Sequence, residues 1–153
     1  MALTSPVTGA AQTGFTSPTY TLTADRFPGP NGVQYAVSAL GGTQVGATAN
    51  SAAAPFLVSV ERPVSLKTQK ISAAGIVYSP GRNRHRIATR KGMVAVTAQP
   101  ALEGICETFI AVPVGAETVS PAEIRAMLSA HIGVLTQYAS ALGDQMASGV
   151  VTA

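Results

Sequence analysis

Hydrophobic and polar positions follow two different periods along this chain. Up to about residue 114 the apolar residues come in short alternating or β-branched runs, punctuated by Gly, Pro, Asn and Ser. The pieces TYTLT (19–23) and VQYAVSA (33–39), separated by RFPGPNG, predict short strands joined as a hairpin. GGTQVGATANSAAAP (41–55) is too small and polar to pack and is expected to be a loop. FLVSVER (56–62), ended by Pro63, predicts a strand, and ISAAGIVY (71–78) a second. SPGRN then supplies turn residues before RHRIATR. The Lys91-Gly92 pair suits a tight reversal into MVAVTA (93–98), and ETFIAVPV (107–114) completes a meander. Strands with hairpin-length links imply antiparallel pairing, in which one face packs and the other is wet.

From Ser120 the period changes. Ile124, Leu128, His131, Leu135, Tyr138 and Leu142 recur at three- and four-residue spacing, which defines an amphipathic helix whose stripe must be buried. Ser120 is placed to cap it, Pro121 suits the first helical position, and Glu123 is the capping-box partner. Gly133 marks a kink that would make two helices, or a point of close approach. His131 and Tyr138 lie on the stripe and read as packing residues rather than ligands. The expected fold is α+β: an N-terminal hairpin (1–55), an antiparallel meander sheet (56–114) and C-terminal helices (120–148), all in one domain.

Composition changes this picture in one respect. The 153 residues are 46% hydrophobic but only 5% aromatic, without Trp, and 11% charged. A thin aliphatic core with few surface charges suggests that apolar surface is buried against another subunit. One helix or two covers only part of a broad sheet, and a dimer in which each chain's helices lie over the partner's sheet completes it. The N-terminus lacks the basic and apolar regions of a secretory signal, and no run approaches the roughly 20 apolar residues of a membrane span. The expectation is a soluble chain, made in the cytoplasm, with no membrane partner. The single cysteine, Cys106, excludes an internal disulfide framework. It reads first as a small buried hydrophobe and second as an intersubunit disulfide. Neither His85 nor His131 is an evident partner for a catalytic thiolate.

Charge is unevenly distributed. The net charge is +3, yet between Arg62 and Lys91 stand eight cations (Arg62, Lys67, Lys70, Arg82, Arg84, Arg86, Arg90, Lys91) and no Asp or Glu. In a strand, alternate residues share a face. Arg84, Arg86 and Arg90 therefore point one way and His85, Ile87 and Thr89 the other, with Ile87 marking the packed side. Crowded like charges repel unless solvent or an anion screens them, so the face is either simply solvated or set aside for an anion such as nucleic acid. Chemistry is not indicated: there is no metal-ligand cluster, phosphate loop or Ser/His/Asp pattern, and no cofactor is expected. Glu103 in a loop and Glu107 at a strand start read as surface or intersubunit charges.

VSVERPVSLKT (58–68), the PGRNR turn with RIATRKGM (80–93), FIAVPVGAETVSPAEIRAMLSAHIG (109–133) and ALGDQMASGVV (141–151) together resemble coat proteins of single-stranded RNA bacteriophages of the levivirus type. The resemblance implies an interlocked obligate homodimer, with two C-terminal helices from each chain, assembled in the host cytoplasm into an icosahedral virion. Its helices would face outward and its sheet inward onto viral single-stranded RNA. It further implies that Arg84, Arg86 and Arg90 line the RNA face, with Lys67 and Lys70 nearby and Arg82 in the adjoining turn. It places the helix stripe in the dimer interface. Residues 99–106 would correspond to the loop that meets neighbouring subunits, with Cys106 at its end as a cross-linking position. Apart from Tyr78 no aromatic is evident on the basic face, although unstacked bases are commonly read by stacking. The alternative is a non-viral single-strand-binding module with a basic sheet.

Overall fold

Among the described residues, six strands pair antiparallel in chain order and are followed by two helices. The structure, a computed structural model, describes residues 2–75 and 81–150. The strands are β1 (Val7–Thr8), β2 (Phe15–Asp25), β3 (Gly32–Gln44), β4 (Phe56–Glu61), β5 (Arg82–Met93) and β6 (Leu102–Pro113), forming one sheet in the order β1-β2-β3-β4-β5-β6. The helices are α1 (Ala116–Val119) and α2 (Pro121–Ser148). The α+β meander is as the hydrophobic pattern implies, and the predicted N-terminal hairpin is β2–β3 within the same sheet. β2 bulges between Thr16 and Thr19, with the buried Pro18 between them. Gly42 lies opposite at φ 71°, where a side chain would strike the carbonyl oxygens of Thr16 and Ser17.

Several boundaries differ from expectation. Over 71–78 no strand forms among the described residues beyond a single bridge at Ile71. The Gly75 amide instead donates to the Ser72 carbonyl at 2.9 Å and closes a turn; Tyr78 and the remainder of that segment lie outside the described residues. Lys91-Gly92 does not reverse the chain. β5 runs straight through it, pairing Lys91 with Gly104, Gly92 with Glu103 and Met93 with Leu102. Gly92 is small for another reason: its amide donates to Pro55 at 2.6 Å, and a Cβ there would lie 2.7 Å from the Ala54 Cα. The reversal falls at 94–101, so MVAVTA is not a strand beyond Met93, and Glu103 and Cys106 both lie on β6 rather than in or at the end of a loop.

The two helices divide at Ser120, not at Gly133. α2 continues unbroken for 28 residues, with Pro121 at its start as expected. The Ser120 side chain makes no capping hydrogen bond, so the capping box is not formed. No residue of α2 is buried. Buried apolar residues, among those described, are Val37, Ala88 and Val114, together with Pro18. The single chain therefore carries a well-paired sheet but little core.

Candidate nucleic-acid interface

Directly paired residues on neighbouring antiparallel strands project to the same side, so the register assigns every side chain a face. Glu61, Arg86 and Phe109 form one such row, Ser59, Ala88 and Glu107 the next, and Leu57, Arg90 and Ile105 the one after. Arg82 and Arg84, opposite Pro113 and Ala111, extend the same face. All four arginines of β5 thus share one side of the sheet, as strand alternation implies. The other side carries Tyr20, Leu22, Val37, Phe56, Val58, Val60 and Ile87, which with Leu3 and Val7 line an apolar cavity of about 420 Å³.

The arginine face is not a field of free cations. Arg86 donates through Nη1 to Glu61 Oε1 at 2.6 Å and through Nη2 to Glu107 Oε1. Its guanidinium also lies 5.9 Å from the centre of the Phe109 ring. The buried neighbours Ser59 and Ala88 are small, which leaves room for these long side chains to lie across the sheet. The guanidinium bond holds the Glu107 carboxyl below the usual carboxylate range, and the two carboxylates raise Arg86 further. Arg90 is held more loosely, with Nε 3.5 Å from Glu103 Oε1 and no hydrogen bond at that nitrogen among the described residues.

The predicted lysines do not join this group. The Lys67 amide donates to Asn83 Oδ1 at 2.9 Å, and its stem lies over Gly81; Asn83 projects to the apolar side. Lys70 is exposed in the segment between β4 and β5. Lys91 also lies on the apolar side, 5.1 Å from the Phe56 ring centre and donating to Thr48 Oγ1 at 3.1 Å, and burial lowers its pKa. One residue was missed from sequence: Phe109 stands on the arginine face, 63% exposed. Its parity was readable within 107–114, but its side relative to Arg86 depends on the β5–β6 register.

No protein-family model matches the chain, and no curated protein does. Among solved structures it is similar to the virus-like particle of bacteriophage ESE020, at 43% identity over 99% of both chains with a TM-score of 0.92. The chain belongs to the levivirus-type coat proteins of single-stranded RNA bacteriophages. A second structure, the virus-like particle of Wenzhou levi-like virus 4, shares the fold at 17% identity and a TM-score of 0.57, over 94% of this chain and 86% of that one. The coat-protein assignment makes the role structural and sets aside the free-standing binding module.

In the coat protein, the predicted helix stripe is left largely uncovered by its own chain. His131, Leu135, Tyr138 and Leu142 are exposed, while Ile124 and Leu128 are half-buried beside β6. Met127, Ile132, Val134 and Met146 widen the exposed apolar arc. At its far end α2 is tethered by Thr13, whose hydroxyl donates to Asp144 Oδ2 at 2.9 Å. Cys106, expected to be buried, is exposed at mid-β6 opposite Thr89, on the apolar side of the sheet.

Proposed function

We propose that this coat protein forms an obligate homodimer and that dimers close into a virion shell around single-stranded RNA, with the arginine face turned inward. The observation that carries the reading is the end-to-end match to a protein whose solved form is a virus-like particle. The dimer is supported by two unfinished surfaces. One is the exposed apolar arc of α2; the other is the apolar sheet face, with Ile87 still 41% exposed. Each fits a second copy of the other, and β6 offers a free edge of 12 residues at which the two sheets can meet. Burial of these surfaces drives assembly. RNA phosphates then meet the cations of the opposite face, and Phe109 supplies a ring on which an unstacked base of an RNA hairpin can lie.

The test is the ultraviolet spectrum of the earliest-eluting size-exclusion peak from protein expressed alone in bacteria. With four Tyr and no Trp, the protein absorbs little at 280 nm and enclosed RNA dominates. A large particle with a nucleic-acid spectrum that survives nuclease is expected. A small nucleic-acid-free species would overturn the reading.

A further inference from the structure

The four arginines on β5 are chemically unequal, because β4 is shorter than β5. β4 ends at Glu61, opposite Arg86. Arg84 and Arg82 therefore run past the end of β4, and on the β6 side they face only Ala111 and Pro113. Both are exposed, and among the described residues neither has an ion pair. Two residues apart on one strand face, they stand about 7 Å from each other. Arg86, one step along the same face, is in contrast held by two carboxylates from the strands on either side.

We infer that Arg82 and Arg84 make the phosphate contacts of the inward face, and that Arg86 makes none and is a positioning residue that ties β4, β5 and β6 together. The inference rests on the proposal that this face meets RNA. A phosphate approaching Arg86 encounters Glu61 and Glu107 at the same point, so it must displace carboxylates already bonded in favourable geometry. A phosphate approaching Arg84 or Arg82 meets two cations, with Ala111 and Pro113 rather than an acid directly opposite on β6 and β4 already ended. RNA contact is thus concentrated at the end of the sheet where β5 outruns β4, whereas at the centre of the face the single Arg86 cation is outnumbered by Glu61 and Glu107.

The salt dependence of binding separates the two roles, since each phosphate contact on a single strand contributes about 0.7 to the slope of log K against log salt. Full-length protein, dissociated from its shells and freed of enclosed RNA so that the face is accessible, is titrated with a labelled single-stranded uridine 20-mer over a series of KCl concentrations. Replacing Arg82→Gln and Arg84→Gln together is expected to reduce the slope by about 1.4 for each chain engaged. Arg86→Gln is expected to leave the slope unchanged while lowering the melting temperature. If Arg86→Gln does not fold, the triple variant Glu61→Gln, Arg86→Gln, Glu107→Gln removes the three charges together and should bind no more weakly than the parent.

A slope reduced as much by Arg86→Gln, or by the triple variant, as by the Arg82/Arg84 pair would overturn the inference while leaving the RNA face in place. Parent protein that does not bind the 20-mer, or a slope that no arginine variant on this face alters, would overturn the RNA-face reading itself and the inference with it.

Discussion

The arginine face and helix α2 solve opposite problems. The centre of the arginine face is electrostatically complete within one chain: Glu61, Arg86 and Glu107 lie in reach of one another over buried Ser59 and Ala88. α2 is incomplete, because it is long, regular and apolar along an arc that its own chain leaves open. Charge pairs close at short range and need only a correct strand register. Apolar surface needs area, and a sheet with so few buried residues cannot supply it to a 28-residue helix. In the proposed assembly the apolar surfaces are the ones that depend on other copies, while the charged centre ties the strands of one subunit together.

The largest expected effect comes from attacking the incomplete region. Leu135→Asp places a charge in the middle of the α2 arc, where the single chain leaves the side chain 45% exposed and nothing clashes. A free subunit would tolerate it, whereas a buried interface would leave the carboxylate unpaired, at a cost of several kcal/mol. Particles should be lost altogether, with the protein recovered as small species or aggregate by size exclusion. Particles of normal size and yield would show that α2 is not buried between copies.

A smaller effect is expected at the complete region. Arg86→Ala leaves Glu61 and Glu107 on adjacent strands with no cation between them, and removes the guanidinium from the Phe109 ring. Because these side chains are partly solvated, the loss should be modest: a fall of about 2–4 °C in melting temperature, with particles still formed. Replacing Glu61→Gln and Glu107→Gln along with Arg86→Ala should recover part of that loss in a thermal melt. No recovery would mean that packing on Phe109, rather than charge, is what Arg86 contributes.

The same contrast explains what was legible in the sequence. The α2 stripe is a local pattern within one element, and the alternation of Arg84, His85, Arg86 and Ile87 assigns faces without knowledge of any other strand. The ion pairs are not local: Arg86 meets carboxylates 25 and 21 residues away, and both depend on register. With the reversal expected at Lys91-Gly92, the β5–β6 register was out of reach, so Glu103 and Glu107 read as unconnected surface charges. Glycine was the ambiguous signal, since the residue type that permits a turn also permits the backbone at Ala54 to pass close to β5. The resemblance puts Lys67 near the arginine face, and its position beside Asn83 on the other side is equally non-local, because the path of a loop over one side of a sheet leaves no trace in strand parity.

Acid sharpens the comparison with the smallest effect. Arg86 remains charged throughout, so the titrating partner is Glu107, whose folded pKa is lowered by the guanidinium bond. A carboxyl with a lowered folded value binds fewer protons in the native than in the unfolded chain between the two values. Stability there rises with pH. The contribution is fully present above the unfolded value of about 4.3 and is lost as pH falls through the lower folded value. Melting temperatures measured from pH 6 down to pH 2 should therefore decline more steeply below about pH 4.3 in the parent than in Glu107→Gln, which lacks this titrating group. Because α2 relies on apolar contact, the Glu107→Gln particles should keep the parent's size at every pH where both remain folded. A change in assembly that follows the titration of Glu107 would instead mean that the charged centre reaches across the subunit boundary, and the division between the two regions would fail.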